Sequence, residues 1–150
     1  MIRISDYIKE ENIIFYDDIV LKKEAIDDLI DLISKSDKIN NEEKLYNDIW
    51  ERESIMSTGI GVGIGIPHIH VDYVDDIEMA IGISKEGIDY KSLDDEPVNF
   101  VVMIVANKDS HEKYIKLLAK VALILKSPKK RKKILKSKNR EEVYKILTNL

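Results

Sequence analysis

The chain has 150 residues, a length that suits one compact unit with a single core. Its 44% hydrophobic and 35% charged residues are those of an ordinary globular protein, and the lack of cysteine excludes disulfides, thiolate nucleophiles and thiolate metal ligands, which fits a reducing, cytoplasmic setting. The net charge of −4 is uneven: Lys126 to Arg140 holds nine of the 24 basic residues and no acidic one, so the rest, with its 28 acidic residues, suits docking a basic protein partner better than general nucleic-acid binding.

In chain order, the first twenty residues carry Arg3, Asp6, Lys9, Glu10, Glu11, Asp17 and Asp18, so no signal peptide is expected there. Ala25, Ile26, Leu29, Ile30 and Ile33 recur at three- and four-residue spacing and predict a helix over about Lys22 to Ser34. A second helix, about Asn41 to Glu53, follows the polar break 36–40 and places Leu45, Ile49 and Trp50 on one side. Strands are predicted at Gly61–Ile66, Met79–Ser84 and Val98–Ala106, with Lys85-Glu86-Gly87 punctuating the second and Gly87–Pro97 read as a loop with room for one short strand. The run Phe100 to Ala106 falls far short of the ~20 apolar residues that span a bilayer, so a protein working in solution is expected.

The last third reads as helical. A helix begins near Ser110, capped by Asp109 or Ser110, with Ile115, Leu118, Ala119, Ala122 and Leu125 as its buried stripe. Ser127-Pro128 stops it, a basic helix follows, and Asn139 caps a final helix carrying Val143, Ile146, Leu147 and Leu150. Helices flanking a strand-rich middle favour a layered α/β domain.

The most unusual segment is Ser57-Thr58-Gly59-Ile60-Gly61-Val62-Gly63-Ile64-Gly65-Ile66-Pro67-His68, where four of the six glycines alternate with β-branched residues. Period two predicts an extended chain with Ile60, Val62, Ile64 and Ile66 in the core and the glycine face open to a close backbone approach. Pro67 cannot continue a central ladder, so the chain is expected to leave the sheet there and present His68 at its end. No Gly-Lys-Ser/Thr and no Gly-x-Gly-x-x-Gly opening a helix is present, which sets nucleotide binding aside. On residue type alone, His68 is either a reactive imidazole or a hydrogen-bonded structural one.

Arg52-Glu53, then Ser57-Thr58-Gly59-Ile60-Gly61, then Gly63-Ile64-Gly65-Ile66-Pro67-His68 resembles the fructose/mannitol-type enzyme IIA family of the phosphoenolpyruvate-dependent sugar phosphotransferase system, including its nitrogen-regulatory branch. Gly65 stands where the family pattern has alanine. Weaker similarity extends over the chain, at Ile4-Ser5-Asp6-Tyr7-Ile8, at Lys22 to Ile33, and at Lys85 to Tyr90 with Leu93-Asp94 and Pro97-Val98.

The resemblance implies one IIA domain over residues 1–150. Its sheet would be mixed and mainly parallel, flanked by helices on both faces, with the site at the carboxyl edge of the strands. It implies a phosphotransferase component in which His68 takes a phosphoryl group from the phosphocarrier HPr and hands it to the IIB domain of a sugar permease. No cofactor, metal or nucleic acid is then expected, and the membrane is met only through the transporter. A neutral imidazole nitrogen is needed, the form an ordinary histidine takes near neutral pH. Arg52 matches the family arginine, and its guanidinium fork suits phosphate oxygens; its alternative is an ion pair with Asp48, four residues earlier. Thr58 and Gly59 are assigned to support of the phosphate site. A second histidine normally begins the family's His-Leu-x-x-Leu helix, and here Tyr114, counted back from Leu118-Ala119, occupies that place with His111 three residues before. Residues three apart share a helix face, so either could assist His68; His111 is assigned the catalytic role and Tyr114 support.

Two other readings compete. His68-Ile69-His70-Val71-Asp72 has the spacing of a strand-borne metal site, but Tyr73 stands where such sites usually need another histidine, leaving His70 at the rim and Asp72 solvated. The run Lys129–Lys133 could meet nucleic acid or an anionic membrane, yet no aromatic residue interleaves with it. Within the family, a regulatory module that binds a target according to the phosphorylation of His68 is the alternative to a carrier.

Overall fold

The computed structural model describes residues 2–18, 20–92 and 94–149, and of Ile60 the backbone alone. Leu93, Leu150 and the side chain of Ile60, all assigned above, lie outside the described residues. The chain opens with two short 3-10 turns and strands β1 (Ile13–Tyr16) and β2 (Val20–Leu21), neither of which the early sequence suggested. These strands are only four and two residues long, too short for a period to register. Helices α1 (Lys22–Ser34) and α2 (Glu42–Ile55) follow, the second capped by Asn41, whose side chain accepts the Lys44 N–H.

The glycine-rich segment departs from the single strand predicted over Gly61–Ile66. Strands β3 (Gly59–Gly61) and β4 (Ile64–Gly65) pair antiparallel across a two-residue turn at Val62-Gly63, where φ is +50° and +79°. Left-handed backbone at both central residues matches the twist of a tight hairpin, so Gly61 and Gly63 serve a reversal, while Gly59 and Gly65 leave room for the close approach of Ser92 and Tyr90. Val62 is turned out to solvent, while Ile64 and Ile66 are buried.

Nor does the chain leave the sheet at Pro67. Strand β5 (His68–Val71) starts at the next residue, and β4 and β5 hold one common register along β7 (Val98–Asn107): Gly65 faces Val101 and His68 faces Ile104. Pro67 gives up only its missing donor, since its carbonyl still accepts the Ile104 N–H. Strand β6 (Ile77–Asp89) runs through Lys85-Glu86-Gly87 instead of ending there. The ladder is irregular between Ile83 and Ile88, and Gly87, at φ +93°, donates its N–H to the Ser84 hydroxyl.

The sheet has seven strands, with β1, β6, β7, β4 and β3 in lateral order, β2 beside β6, and β5 beside β7. It is mixed and mostly parallel by number of pairings, although its longest pairing, β6 with β7, is antiparallel. Alternation along the two central strands divides the core. Ile77, Met79, Ile81 and Ile83 with Phe100, Val102 and Ile104 meet α3 (His111–Leu125), α4 (Pro128–Leu135) and α5 (Arg140–Thr148); Ala80, Val101, Met103 and Val105 meet α1 and α2. Helices therefore cover both faces. No helix among the described residues is long and apolar enough to cross a membrane.

On α3 the predicted inner stripe holds at Leu125 and in part at Leu118, which packs against the core. Tyr114, Leu117, Val121, Ile124 and Leu125 are buried, whereas Ile115 and Ala119 are exposed and Leu118 and Ala122 only half-buried. Two apolar rows coexist on this helix, and only one meets the sheet.

Candidate functional site

β5 sets His68 and His70 on the same face, that of Ile64 and Ile66, because side chains alternate along a strand. α3 lies over that face, and its first turns bring His111 and Tyr114 against the two histidines. The rings of His68 and Tyr114 are 6.0 Å apart, those of His70 and Tyr114 5.4 Å, and those of His70 and His111 5.5 Å. Tyr114 thus stands beside His68, and His111 beside His70.

His68 is half-buried, with Nδ1 2.5 Å from the Ile66 carbonyl. A carbonyl can only accept, so Nδ1 carries the proton and, in the neutral ring, the lone pair belongs to Nε2. Tyr114 is 3% exposed, and burial pushes its phenol well above the usual tyrosine range, an effect the Arg52 cation partly opposes. It is therefore a neutral hydroxyl.

Arg52, in the last turn of α2, lines the same depression as His68, His70, His111 and Tyr114. Its Nη1 donates to the Met56 carbonyl at 3.0 Å, bracing the chain just past the helix. The alternative pairing with Asp48 is not made: Asp48 accepts the Tyr73 hydroxyl at 2.6 Å. An adjoining depression shares Arg52 and His68 and adds Met56, Thr58, Gly59 and Ala122. A side chain at Gly59 would collide with Ser92, whose Cβ lies 2.7 Å from the position of a new Cβ. Part of the rim is apolar, for Met56 and Ile115, which line these depressions, are exposed.

Asp72 is exposed past the end of β5, and among the described residues no group of three or more His, Asp and Glu lies close enough to share a metal ion. The basic residues Lys129, Lys132 and Lys133 of α4 are exposed.

Sequence reasoning gave Glu53, Lys22 and Tyr90 no role, yet they form a buried polar cluster behind the site. Glu53, 5% exposed, accepts from the Thr58 backbone and hydroxyl and pairs with Lys22. Tyr90, fully buried, bonds the same hydroxyl, and burial with the Glu53 charge raises its phenol far above the usual range. The one available signal was the glutamate five residues before Thr58, which tertiary packing alone turns inward.

The sequence matches, over residues 6–150, the family described as "Phosphoenolpyruvate-dependent sugar phosphotransferase system, EIIA 2". The chain belongs to that family. It is 33% identical over 84% of its length to the "PTS system fructose-specific EIIABC component" of Bacillus subtilis, of which it spans 20%. The EIIA fold is shared with the nitrogen regulatory protein IIA-Ntr of Neisseria meningitidis, at TM-score 0.85 and 22% identity over 97% of this chain and 99% of that one. It is shared also with the Escherichia coli mannitol enzyme IIA in a complex with phosphorylated enzyme IIB, at TM-score 0.78 and 22% identity over 93% and 96%.

Proposed function

We propose that this EIIA chain is a cytoplasmic phosphoryl carrier, residues 1–150 acting as one IIA domain that accepts phosphate from phospho-HPr on His68 Nε2 and passes it to the IIB domain of a sugar permease. The observation that carries the reading is the Nδ1–H bond to the Ile66 carbonyl, which leaves the Nε2 lone pair for a depression shared with Arg52 and Tyr114. Nε2 attacks phosphorus as the bond to the donor breaks, and the developing positive charge on the ring is met by the Ile66 carbonyl. Negative charge on the equatorial oxygens is met by the Arg52 guanidinium and the neutral Tyr114 hydroxyl, since phosphoryl transfer depends mainly on alignment and such charge stabilisation. Tyr114, beside His68, is the better placed assistant, and His111 serves the rim. Thr58 and Gly59 support the site from behind. The exposed apolar row of α3 with Met56 forms a face on which successive protein partners can dock. A IIB partner is supported by the complex formed by the mannitol relative and by the EIIABC composition of the Bacillus relative.

The test is incubation with phosphoenolpyruvate, enzyme I and HPr, followed by intact-mass measurement. One acid-labile phosphoryl group should appear in the wild type and be lost in His68→Ala. Labelling that persists in the variant, or never occurs in the wild type, defeats the proposal. The likeness to IIA-Ntr supports a second reading, a regulator whose target binding follows the state of His68. If phosphate enters His68 but no IIB domain withdraws it, the regulatory reading replaces the carrier.

A further inference from the structure

Glu53 is a charged group within the fold, and a buried charge is tolerated where partners satisfy it. Oε1 receives the Lys22 ammonium at 2.7 Å and the Thr58 N–H at 3.0 Å, and Oε2 receives the Thr58 hydroxyl at 2.9 Å. Because the threonine proton goes to Glu53, the Tyr90 hydroxyl, 2.8 Å from Thr58 Oγ1, is the donor in that pair. Lys22 also lies 4.5 Å over the Tyr90 ring. Thr58 is thereby held at its N–H and at its side chain. Its carbonyl is used too, accepting the Ile66 N–H at 3.0 Å, and the Ile66 carbonyl in turn accepts from His68 Nδ1. The bonds form one connected series that converges on Glu53, donated from the imidazole through Ile66 and Thr58 on one side and from the Lys22 ammonium on the other, spanning α1, the end of α2 and the hairpin.

We infer that Glu53 is a positioning residue for His68: through Thr58, whose carbonyl holds the Ile66 N–H, it places residue 66 so that the Ile66 carbonyl meets the imidazole, which keeps its proton on Nδ1 and presents its lone pair at Nε2. A carboxylate gripping Thr58 at two points holds Ile66, and with it the carbonyl on the far side of its Cα, more firmly than a single bond would. Arg52 precedes Glu53 on the same helical turn, so one element sets both the cation and, indirectly, the nucleophile. The consequence for transfer rests on the carrier reading; the consequence for the tautomer does not.

The experiment reads the ring directly. Nitrogen-15 shifts of the His68 imidazole are recorded at a pH where the ring is neutral, in the unphosphorylated wild type and in Lys22→Met/Glu53→Gln, which removes both charges together. The wild type should be almost wholly in the Nδ1–H form, and the folded double variant should show a mixture of tautomers. Transfer from phospho-HPr should then slow by roughly ten- to a hundred-fold with KM little changed, the size expected for a misplaced reacting group. A native Nδ1–H signature in the folded double variant would overturn the inference. Should that variant fail to fold, Thr58→Val, which drops the hydroxyl but keeps the backbone bond, must show the same change in smaller degree, and an unaltered tautomer there overturns it equally. A wild type that shows the Nδ1–H form but takes no phosphate instead defeats the carrier reading and leaves the relay standing.

Discussion

Tyr114, whose ring lies 6.0 Å from that of His68, is the residue on which the proposed carrier chemistry leans after the histidine itself. Burial holds its phenol protonated well above the ordinary range, so it cannot act as a base at any pH at which an imidazole works. What it can give is one neutral hydrogen bond to a phosphoryl oxygen, and hydrogen bonds to charged groups contribute about 1.5–3 kcal/mol. Tyr114→Phe should therefore slow phosphoryl transfer by roughly 10- to 150-fold while leaving the fold intact, since the ring still fills its place. His111, exposed and tilted against the His70 ring, is one ring removed from His68, and His111→Ala should change the rate by less than about threefold. Single-turnover quench measurements on both variants check this. The assignment falls if the histidine variant is the slower.

Among the elements, the glycine hairpin carries the tightest steric constraint. A Cβ on Gly65 would lie 2.9 Å from Tyr90 Cε2 and 3.0 Å from Cζ, and that ring is fully buried with its hydroxyl tied to Thr58. Alanine fits the family pattern at this place, but not beside this tyrosine. Gly65→Ala should destabilise by about 1–3 kcal/mol, the usual cost of overpacking a core. In a double-mutant cycle with Tyr90→Leu, measured by chemical denaturation, a coupling of at least ~0.5 kcal/mol is expected, because the smaller side chain removes the collision. Strict additivity would show that the ring moves freely.

The same hairpin shows where sequence reading stops. α1 and α2 were legible because one apolar stripe at helical spacing leaves a single choice of inner face. Alternating glycine and β-branched residues fit a strand equally well whether it runs straight or reverses at Val62-Gly63, and only the backbone dihedrals separate the two. On α3 both apolar rows have helical spacing, so periodicity could not say which one faces the sheet. The row left outside is the one beside His68, where apolar exposure suits a partner. His68 and Arg52 were legible through a long motif, whereas the cluster around Glu53 was not, because it joins residues as far apart as Lys22 and Tyr90.

At the scale of the whole molecule, the tyrosines tie stability to pH. Tyr16 donates to Asp28 and Tyr73 to Asp48, both at 2.6 Å, and Tyr90 and Tyr114 lie in the core; burial comes first in raising all four phenols. In the unfolded chain a tyrosine titrates near ~10. A folded value above that means the native state holds its protons longer, so the stabilisation is complete below about pH 10 and is lost as pH climbs towards the folded values. For the two buried phenols the slope is roughly 1.4 kcal/mol per pH unit each above that point. Half-exposed Tyr16 and Tyr73 add less, because solvent screens them. Alkaline titration followed by phenolate absorbance and far-ultraviolet circular dichroism should therefore show the last phenolate signal rising together with a cooperative loss of helix. Complete ionisation of all seven tyrosines with the helical signal intact would mean that the cores on both faces of the sheet admit water far more readily than their packing implies.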